Sequence, residues 1–206
     1  LSAQSQARAA HAREAGYFKN QITPLELTTR RKTVTFDNDE FIRAETTTES
    51  LASLRAAFIK DGLVTAGNSS GINDGTASLV LANSAALETH KVNPLARIIA
   101  YGFGGVPPRI MGMGPVPASE MALERSGLSV DDLDLVESNE AFAAQACAVS
   151  CQLNLDPARV NPNGGAIALG HPVGATGAII MTKLIHELHR INGRYGMATM
   201  CIGGGQ

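Results

Sequence analysis

Asn163-Gly-Gly-Ala-Ile-Ala-Leu-Gly-His-Pro-Val-Gly-Ala-Thr-Gly177 is a glycine-dense stretch that presents a single histidine, His171, at the start of a helical pattern. Glycine has no side chain, so such a loop lets backbone come close to a ligand. Downstream, Gly177, Ile180, Met181, Leu184, Ile185 and Leu188 mark one face of a helix, and Met197 to Ile202 reads as a strand. Upstream, Leu133 to Glu137 has the pattern of a strand, and Glu140 to about Leu153 is helical. Further back, Ser119 to Arg125 reads as a helix closed by Gly127, and Leu95 to Phe103 as another strand. Strands alternating with helices across residues 92 to 206 predict a layered α/β domain whose sheet is covered on both faces.

The first part of the chain is less regular. Residues 1 to 15 are rich in Ala, Gln and Arg and run to Gly16, which predicts a helix with a stop. An extended stretch around Pro24 and a polar segment lead to Thr46-Thr-Thr-Glu49, a capping-box spacing. Leu51, Leu54 and Phe58 follow at helical intervals, with Gly62 as terminator. Residues 63 to 75 read as a Gly/Asn/Ser loop, and Thr76 to Ala82 as a short buried strand. Residues 1 to 72 are thus expected to form a separate element. Leu1 lies inside a helical pattern, and Gly203-Gly-Gly-Gln206 should lead into another element, so the expectation is a part of a larger fold.

Composition excludes several classes. Of 206 residues, 44% are hydrophobic and the formal net charge is -2, which suits one large or two small globular units rather than a disordered chain. The 17 basic and 19 acidic residues are interspersed, and the longest basic run is Arg30-Arg31-Lys32, so a nucleic-acid partner is not expected. No apolar stretch approaches the roughly 20 residues that span a bilayer, so no membrane partner is expected either. Three cysteines, Cys147, Cys151 and Cys201, form no framework spacing and read as reduced thiols in a reducing compartment, a cytoplasmic setting with an organelle not excluded.

Three motifs carry chemistry. His171, between Gly170 and Pro172, can donate from its imidazole to an oxygen that gains negative charge, although a Gly-flanked histidine taken alone reads more readily as a cap or core residue. Cys201, at the end of a strand and followed by glycines, stands where residues beyond strand carboxyl ends line sites. Its thiolate can serve as nucleophile or base, and the Gly203 amide can point into an oxyanion site; a thiol packed as a small apolar residue is the bland alternative. Asn139, in Glu137-Ser-Asn-Glu-Ala-Phe142, is either a helix cap or an amide that holds a water or a substrate oxygen. Cys147 and Cys151 lie four apart on one helix face, but nothing nearby completes a metal site, and they are expected in the core. His186 and His189 share a helix face and read as surface residues, and no metal site is expected.

The Asn-Glu-Ala-Phe segment, the Gly-His-Pro loop and Cys201-Ile-Gly-Gly-Gly205 occur in the order and spacing of the thiolase family, which the chain resembles. The resemblance extends to Asn68-Ser-Ser-Gly-Ile-Asn-Asp-Gly75, Met111-Gly-Met-Gly-Pro115 and the segment from Arg43 to Phe58. It implies a layered α-β-α-β-α thiolase fold with a loop domain. Residues 1–72 would be part of the CoA-binding loop domain, 73–92 the remainder of the N-terminal domain, and 93–206 the C-terminal domain.

The activity implied is Claisen condensation of two acetyl-CoA to acetoacetyl-CoA and CoA, or thiolysis of a 3-ketoacyl-CoA. Coenzyme A thioester is then substrate, and no cofactor is implied. By the same resemblance Cys201 is the general acid/base at the α-carbon. His171 and a water held by Asn139 face the enolate oxygen, His171 also activates the nucleophilic cysteine, and Gly203 contributes an oxyanion-hole amide. The nucleophile itself falls upstream of residue 1, so its N-terminal complement is an implied partner, and family members are dimers or tetramers. Arg43, Ser50, Phe58, Ala66, Ser70 and Gly71 match CoA-binding positions, while Met111 and Phe142 match the acyl pocket. An Arg beside adenine and phosphate is chemically apt, since its planar cation both stacks and hydrogen-bonds. A noncatalytic CoA- or lipid-binding relative is the alternative, against which the joint presence of Asn139, His171 and Cys201 speaks. A ketosynthase would need a second histidine where Cys201 stands.

Overall fold

The computed structural model describes residues 1–203; Gly204, Gly205 and Gln206, the end of the glycine run, lie outside the described residues. In chain order the elements are α1 (Ser2–Glu14), β1 (Leu25–Thr28), β2 (Thr33–Phe36), α2 (Thr48–Ala52), α3 (Ser84–His90), α4 (Pro115–Ser126), β3 (Leu135–Ser138), α5 (Ala143–Gln152), α6 (Ala166–Leu169), α7 (Thr176–Ile191) and β4 (Gly196–Thr199). Short 3-10 turns cover Pro108–Met113 and Val130–Asp132.

β3 and β4 pair in parallel, Val136 opposite Met197 and Ser138 opposite Thr199. A parallel pair needs a long crossover, and α5, α6 and α7 supply it. Residues 159–161 flank the other edge of β3: Val136 N donates to Arg159 O at 2.9 Å and Asn161 N to Val136 O at 2.9 Å. Side chains alternate across the sheet. Val136 and Met197 face α4 and α5, joining Val116, Val149 and Leu153 in one buried cluster. On the opposite face α7 packs so closely that a Cβ on Gly196 would lie 2.8 Å from Leu184 Cδ1. The expected α/β layering, with helices on both faces of the sheet, is therefore present.

Several expectations need correction. Thr76 to Ala82 forms no strand: Val80 is 94% and Leu81 77% exposed. Leu95 to Phe103 is likewise irregular and largely exposed. Both runs have strand composition but no strand beside them among the described residues, and a backbone without a ladder partner has no reason to stay extended and paired. The second helix is one turn and a half long, ending at Ala52, and its capping box is Thr47 with Ser50 rather than Thr46 with Glu49. Ala56 bridges Thr65 antiparallel, so Phe58 to Gly62 is a turn. The polar segment after Pro24 holds an antiparallel hairpin, Leu25 opposite Phe36 and Leu27 opposite Val34. The 161–170 loop contains α6. Cys147 and Cys151 are exposed rather than in the core, because α5 turns Ala146 and Val149 inward and the cysteines lie on its other face. His189 is exposed as expected, whereas His186 is partly buried.

α1 is not separate from the C-terminal part. Gln6 Nε2 donates to Ile167 O at 3.2 Å, Arg8 Nη1 to Val160 O at 2.7 Å, and Ser5 Oγ to the buried Glu140 carboxylate at 2.6 Å. Glu140 also accepts from Asn161 Nδ2 at 3.1 Å and Ile167 N at 3.2 Å. One buried carboxylate thus ties α1, the 161 turn and the start of α6 into a frame for the glycine loop. A buried carboxyl group needs such a set of hydrogen-bond partners to be tolerated. Lys183 of α7 completes the frame, donating to Glu137 Oε2 at 2.7 Å and to Gly164 O at 2.6 Å. Burial pushes the Glu137 carboxyl up, and the Lys183 ammonium opposes that shift.

Candidate active site

The site assembles at the carboxyl ends of β3 and β4. β3 runs into Asn139, whose N–H donates to Thr199 O at 3.0 Å, so the two strands release their chains side by side. Asn139 does not cap α5, whose N-cap is Phe142; its side chain is buried and turned toward the glycine loop. Cys201 follows β4 by two residues and is half-buried. Met200 passes the first turn of α7, where a Cβ on Gly177 would lie 3.6 Å from Met200 Sδ.

His171 enters from the loop between α6 and α7. Gly170 just before it has φ +93°, and a Cβ there would meet Asn73 Oδ1 at 2.5 Å, so only glycine brings the histidine into place. The His171 N–H donates to Gly71 O at 3.0 Å. Asn139 Nδ2 lies 3.3 Å from His171 Nε2, and His171 Nδ1 lies 2.7 Å from Thr176 Oγ1. Asn139 Oδ1 is buried and has no partner. Desolvation holds the His171 pKa below its ordinary 6.5, so the ring is neutral at neutral pH. Burial pushes the Cys201 thiol up, which keeps it protonated there. No hydrogen bond joins the Cys201 side chain to His171 or Asn139 among the described residues.

The loop after the 65–67 turn is stitched onto the same place. Ser70 N and Ser70 Oγ both donate to Ala141 O at 3.0 Å, and Ala143 N donates to Asn68 O at 2.9 Å. Phe142 meets Phe58 edge-on, with ring centroids 6.3 Å apart. Gly71 therefore touches His171, Ser70 is tied to Ala141 two residues beyond Asn139, and Phe58 sits against Phe142. Met111 stands on the Pro108–Met113 turn, which Gln145 of α5 holds by donating to Gly112 O at 2.9 Å. Ala66 is exposed beside Gly67, which packs on Leu51 and Leu54 near α2. Ser50 spends its hydroxyl on the α2 cap, and Arg43 is exposed with its N–H donated to Gln6 Oε1 at 2.7 Å. Neither touches the histidine. Gly203 is exposed beyond Cys201. Thr176, Asn73, Glu140 and Lys183 escaped the sequence reading. A threonine at the first position of the helix after His171 was a usable signal for the first, but contacts across distant segments were not.

A family model described as "Thiolase, C-terminal domain" matches residues 92–206, and one described as "Thiolase, N-terminal domain" matches residues 1–85. The chain belongs to the thiolase family. Beta-ketothiolase BktB of Cupriavidus necator is 56% identical over 204 residues, covering 98% of this chain and 52% of that protein. The crystal structure of the Bacillus anthracis acetyl-CoA acetyltransferase superposes with a TM-score of 0.96 at 50% identity, covering 100% of this chain and 52% of that one. Human mitochondrial 3-ketoacyl-CoA thiolase in complex with CoA gives 0.90 at 46% identity, over 99% and 51%. The thiolase fold is thereby shown. The chain spans about half the length of these relatives. No helix among the described residues is long and apolar enough to cross a membrane.

Proposed function

We propose that the full-length protein carrying these residues is a thiolase-type acyl-CoA acyltransferase, condensing two acetyl-CoA to acetoacetyl-CoA and CoA or cleaving a 3-ketoacyl-CoA in reverse. The observation that carries this reading is the neutral His171 paired at 3.3 Å with Asn139, whose other amide atom is buried and open beside the strand ends. An unpartnered buried acceptor is costly, and a bound water that donates to it would remove the cost. That water and His171 would then face the oxygen of a thioester enolate.

In this reading a cysteine outside the 206 residues gives its proton to His171 and attacks the thioester carbon, expelling CoA thiolate. His171, now protonated, returns the proton to the leaving sulfur. In the second half-reaction Cys201 first gives its thiol proton to solvent and then, as thiolate, takes a proton from the methyl of acetyl-CoA; the carbanion attacks the acyl-cysteine carbonyl, releasing the cysteine thiolate. In the reverse direction the protonated Cys201 returns that proton to the enolate carbon. Its raised pKa suits the donor role and makes the thiolate a stronger base. The Gly203 amide stabilises the oxyanion formed at the acyl-cysteine.

Coenzyme A enters as substrate along residues 1–72, taken as part of a loop domain, with Arg43, Ser50, Phe58, Ala66, Ser70 and Gly71 along its path. The exposed Arg43 suits the nucleotide end, and the Phe58–Phe142 pair suits the pantetheine and acyl ends, with Met111 closing the acyl pocket. Residues 73–92 are assigned to the N-terminal domain and 93–206 to the C-terminal one. The working protein is a homo-oligomer, dimer or tetramer, in a reducing, cytoplasmic compartment. The test is the intact mass of the full-length protein, denatured before and after adding acetyl-CoA, with peptide mapping of the adduct. An acetyl group on a cysteine outside these residues is expected. No adduct under saturating acetyl-CoA would sink the catalytic reading in favour of a noncatalytic CoA-binding relative.

A further inference from the structure

We infer that Gln145 is a positioning residue for acyl-chain length: by clasping the Pro108–Met113 turn to α5 it fixes how far Met111 reaches into the acyl pocket. The inference rests on the thiolase reading for what Met111 does, though not for the clasp itself. Gln145 lies in the first turn of α5, three residues after Phe142, and the buried Ala146 and Val149 anchor that helix in the domain. Its Nε2 donates to Gly112 O at 2.9 Å. A carbonyl oxygen only accepts, so the amide can meet it in one orientation alone. Oε1 is then turned away, buried and without a partner among the described residues. Turning the amide over would set two acceptors against each other.

The glycine on the other side belongs to the same fit. A Cβ on Gly112 would lie 2.7 Å from Gln145 Cγ, inside van der Waals contact, so the close approach requires a residue without a side chain. Among the described residues no other hydrogen bond from α5 or from a distant segment reaches Pro108–Met113; the rest are local, Ile110 N to Pro107 O at 2.9 Å and Gly114 N to Met111 O at 3.0 Å. Met113, at the end of the turn, packs against the cluster that holds Val116 and Val149. Ile110 and Met111 are exposed, and Ile110 departs from helical geometry with φ -122° and ψ 31°. The turn is thus tethered at Gly112 and Met113, and the side chain just before the tether is the one assigned to the acyl pocket.

The consequence concerns selectivity. Met111 on the turn and Phe142 on α5 are the two acyl-pocket positions, and one hydrogen bond from the first turn of α5 sets the gap between them. A fixed gap discriminates chain length, because one methylene gained or lost in an apolar pocket changes the rate by about tenfold or more. Without the clasp the turn is free to recede, and the room gained admits a longer chain. Gln145 spends a donor on the turn and acts only through Met111.

The experiment uses the full-length protein and compares thiolysis of acetoacetyl-CoA with that of 3-ketohexanoyl-CoA, whose transferred acyl chain is longer. Gln145→Met keeps the length of the side chain and removes the donor. The fold should tolerate it, since Gly112 is partly exposed, its carbonyl can turn to water, and the buried Oε1 is removed with the donor. The ratio of kcat/KM for the longer substrate over the shorter should rise about five- to twentyfold, carried by KM rather than kcat. Gly112→Ala pushes the turn off Gln145 from the other side; it should shift the ratio the same way, and it decides if the Gln145 variant does not fold. Amide hydrogen exchange across residues 110–114 should speed up by about tenfold in both variants. A ratio that falls, or stays within about twofold of wild type in a folded variant, overturns the inference, as does unchanged exchange. A wild type that cleaves neither substrate defeats the thiolase reading instead, while the exchange measurement still decides the clasp.

Discussion

β3 and the segment Thr76 to Ala82 are similar in sequence and opposite in structure. Leu135-Val-Glu-Ser138 is buried at every position, with β4 on one side and residues 159–161 on the other. Thr76-Ala-Ser-Leu-Val-Leu-Ala82 is the more apolar of the two, yet it forms no ladder, and Val80 and Leu81 stand in solvent. The difference lies in partners. A strand is a relation between segments, and an apolar run is realised as one only where another segment supplies hydrogen bonds and a covering layer. The same holds for Leu95 to Phe103. In the ordered half the partners are supplied from within the chain, and that is also where the site lies.

Five measurements break or sharpen this comparison, all on the full-length protein. The largest effect is expected at Cys201, on the ordered side. Cys201→Ser should leave acylation within a few fold and reduce carbon–carbon condensation by about 10²- to 10⁴-fold, the usual range for a positioned acid/base. Single-turnover acylation and steady-state condensation separate the two, and loss of acyl-enzyme formation would refute the role. His171→Ala should lower both half-reactions by about 10²- to 10³-fold, as removal of an oxyanion donor does. In the wild type the acylation rate should hold as pH falls through 6.5 and drop only below it, since burial depresses the pKa and the neutral ring is the active form. A decline beginning above pH 6.5 would contradict this.

Lys183→Met should cost about 3–5 kcal/mol in urea unfolding, because Glu137 is then left buried without its cation. A loss under about 1 kcal/mol would mean that the frame behind the glycine loop does not depend on the pair. The smallest and most discriminating effect concerns Leu81→Ala. If the residue is as exposed in the full-length protein as in this structure, the change should stay within about 0.5 kcal/mol. A cost of about 2–5 kcal/mol would show that a partner strand outside residues 1–206 covers it.

The site was more legible than the irregular parts of the fold. His171, Asn139 and Cys201 each sit at an element boundary with distinctive neighbours: a Gly-His-Pro turn, a strand-to-helix Asn-Glu, a strand end followed by glycines. Helix ends were legible for the same local reason, Gly16 and Gly127 standing just past α1 and α4. Ser50 illustrates the limit. Its hydroxyl closes the Thr47 capping box, a contact that a shift of one residue in the cap assignment concealed. Cys147 and Cys151 were misplaced because i, i+4 spacing identifies a shared face without saying which way that face points; Ala146 and Val149 are the residues turned inward.

By itself the sequence determined the order of β3, α5, α7 and β4, the glycine loop and the identity of the groups at the strand ends, because periodicity, caps and turns act over a few residues along the chain. Only the tertiary structure decided which apolar runs become strands, that α1 packs on α6, that Glu140 and Lys183 brace the loop, and that Thr176 and Asn139 take opposite ends of the His171 ring. Those are hydrogen bonds and packing contacts, many between residues far apart in the chain, and their geometry exists only once the chain has closed on itself.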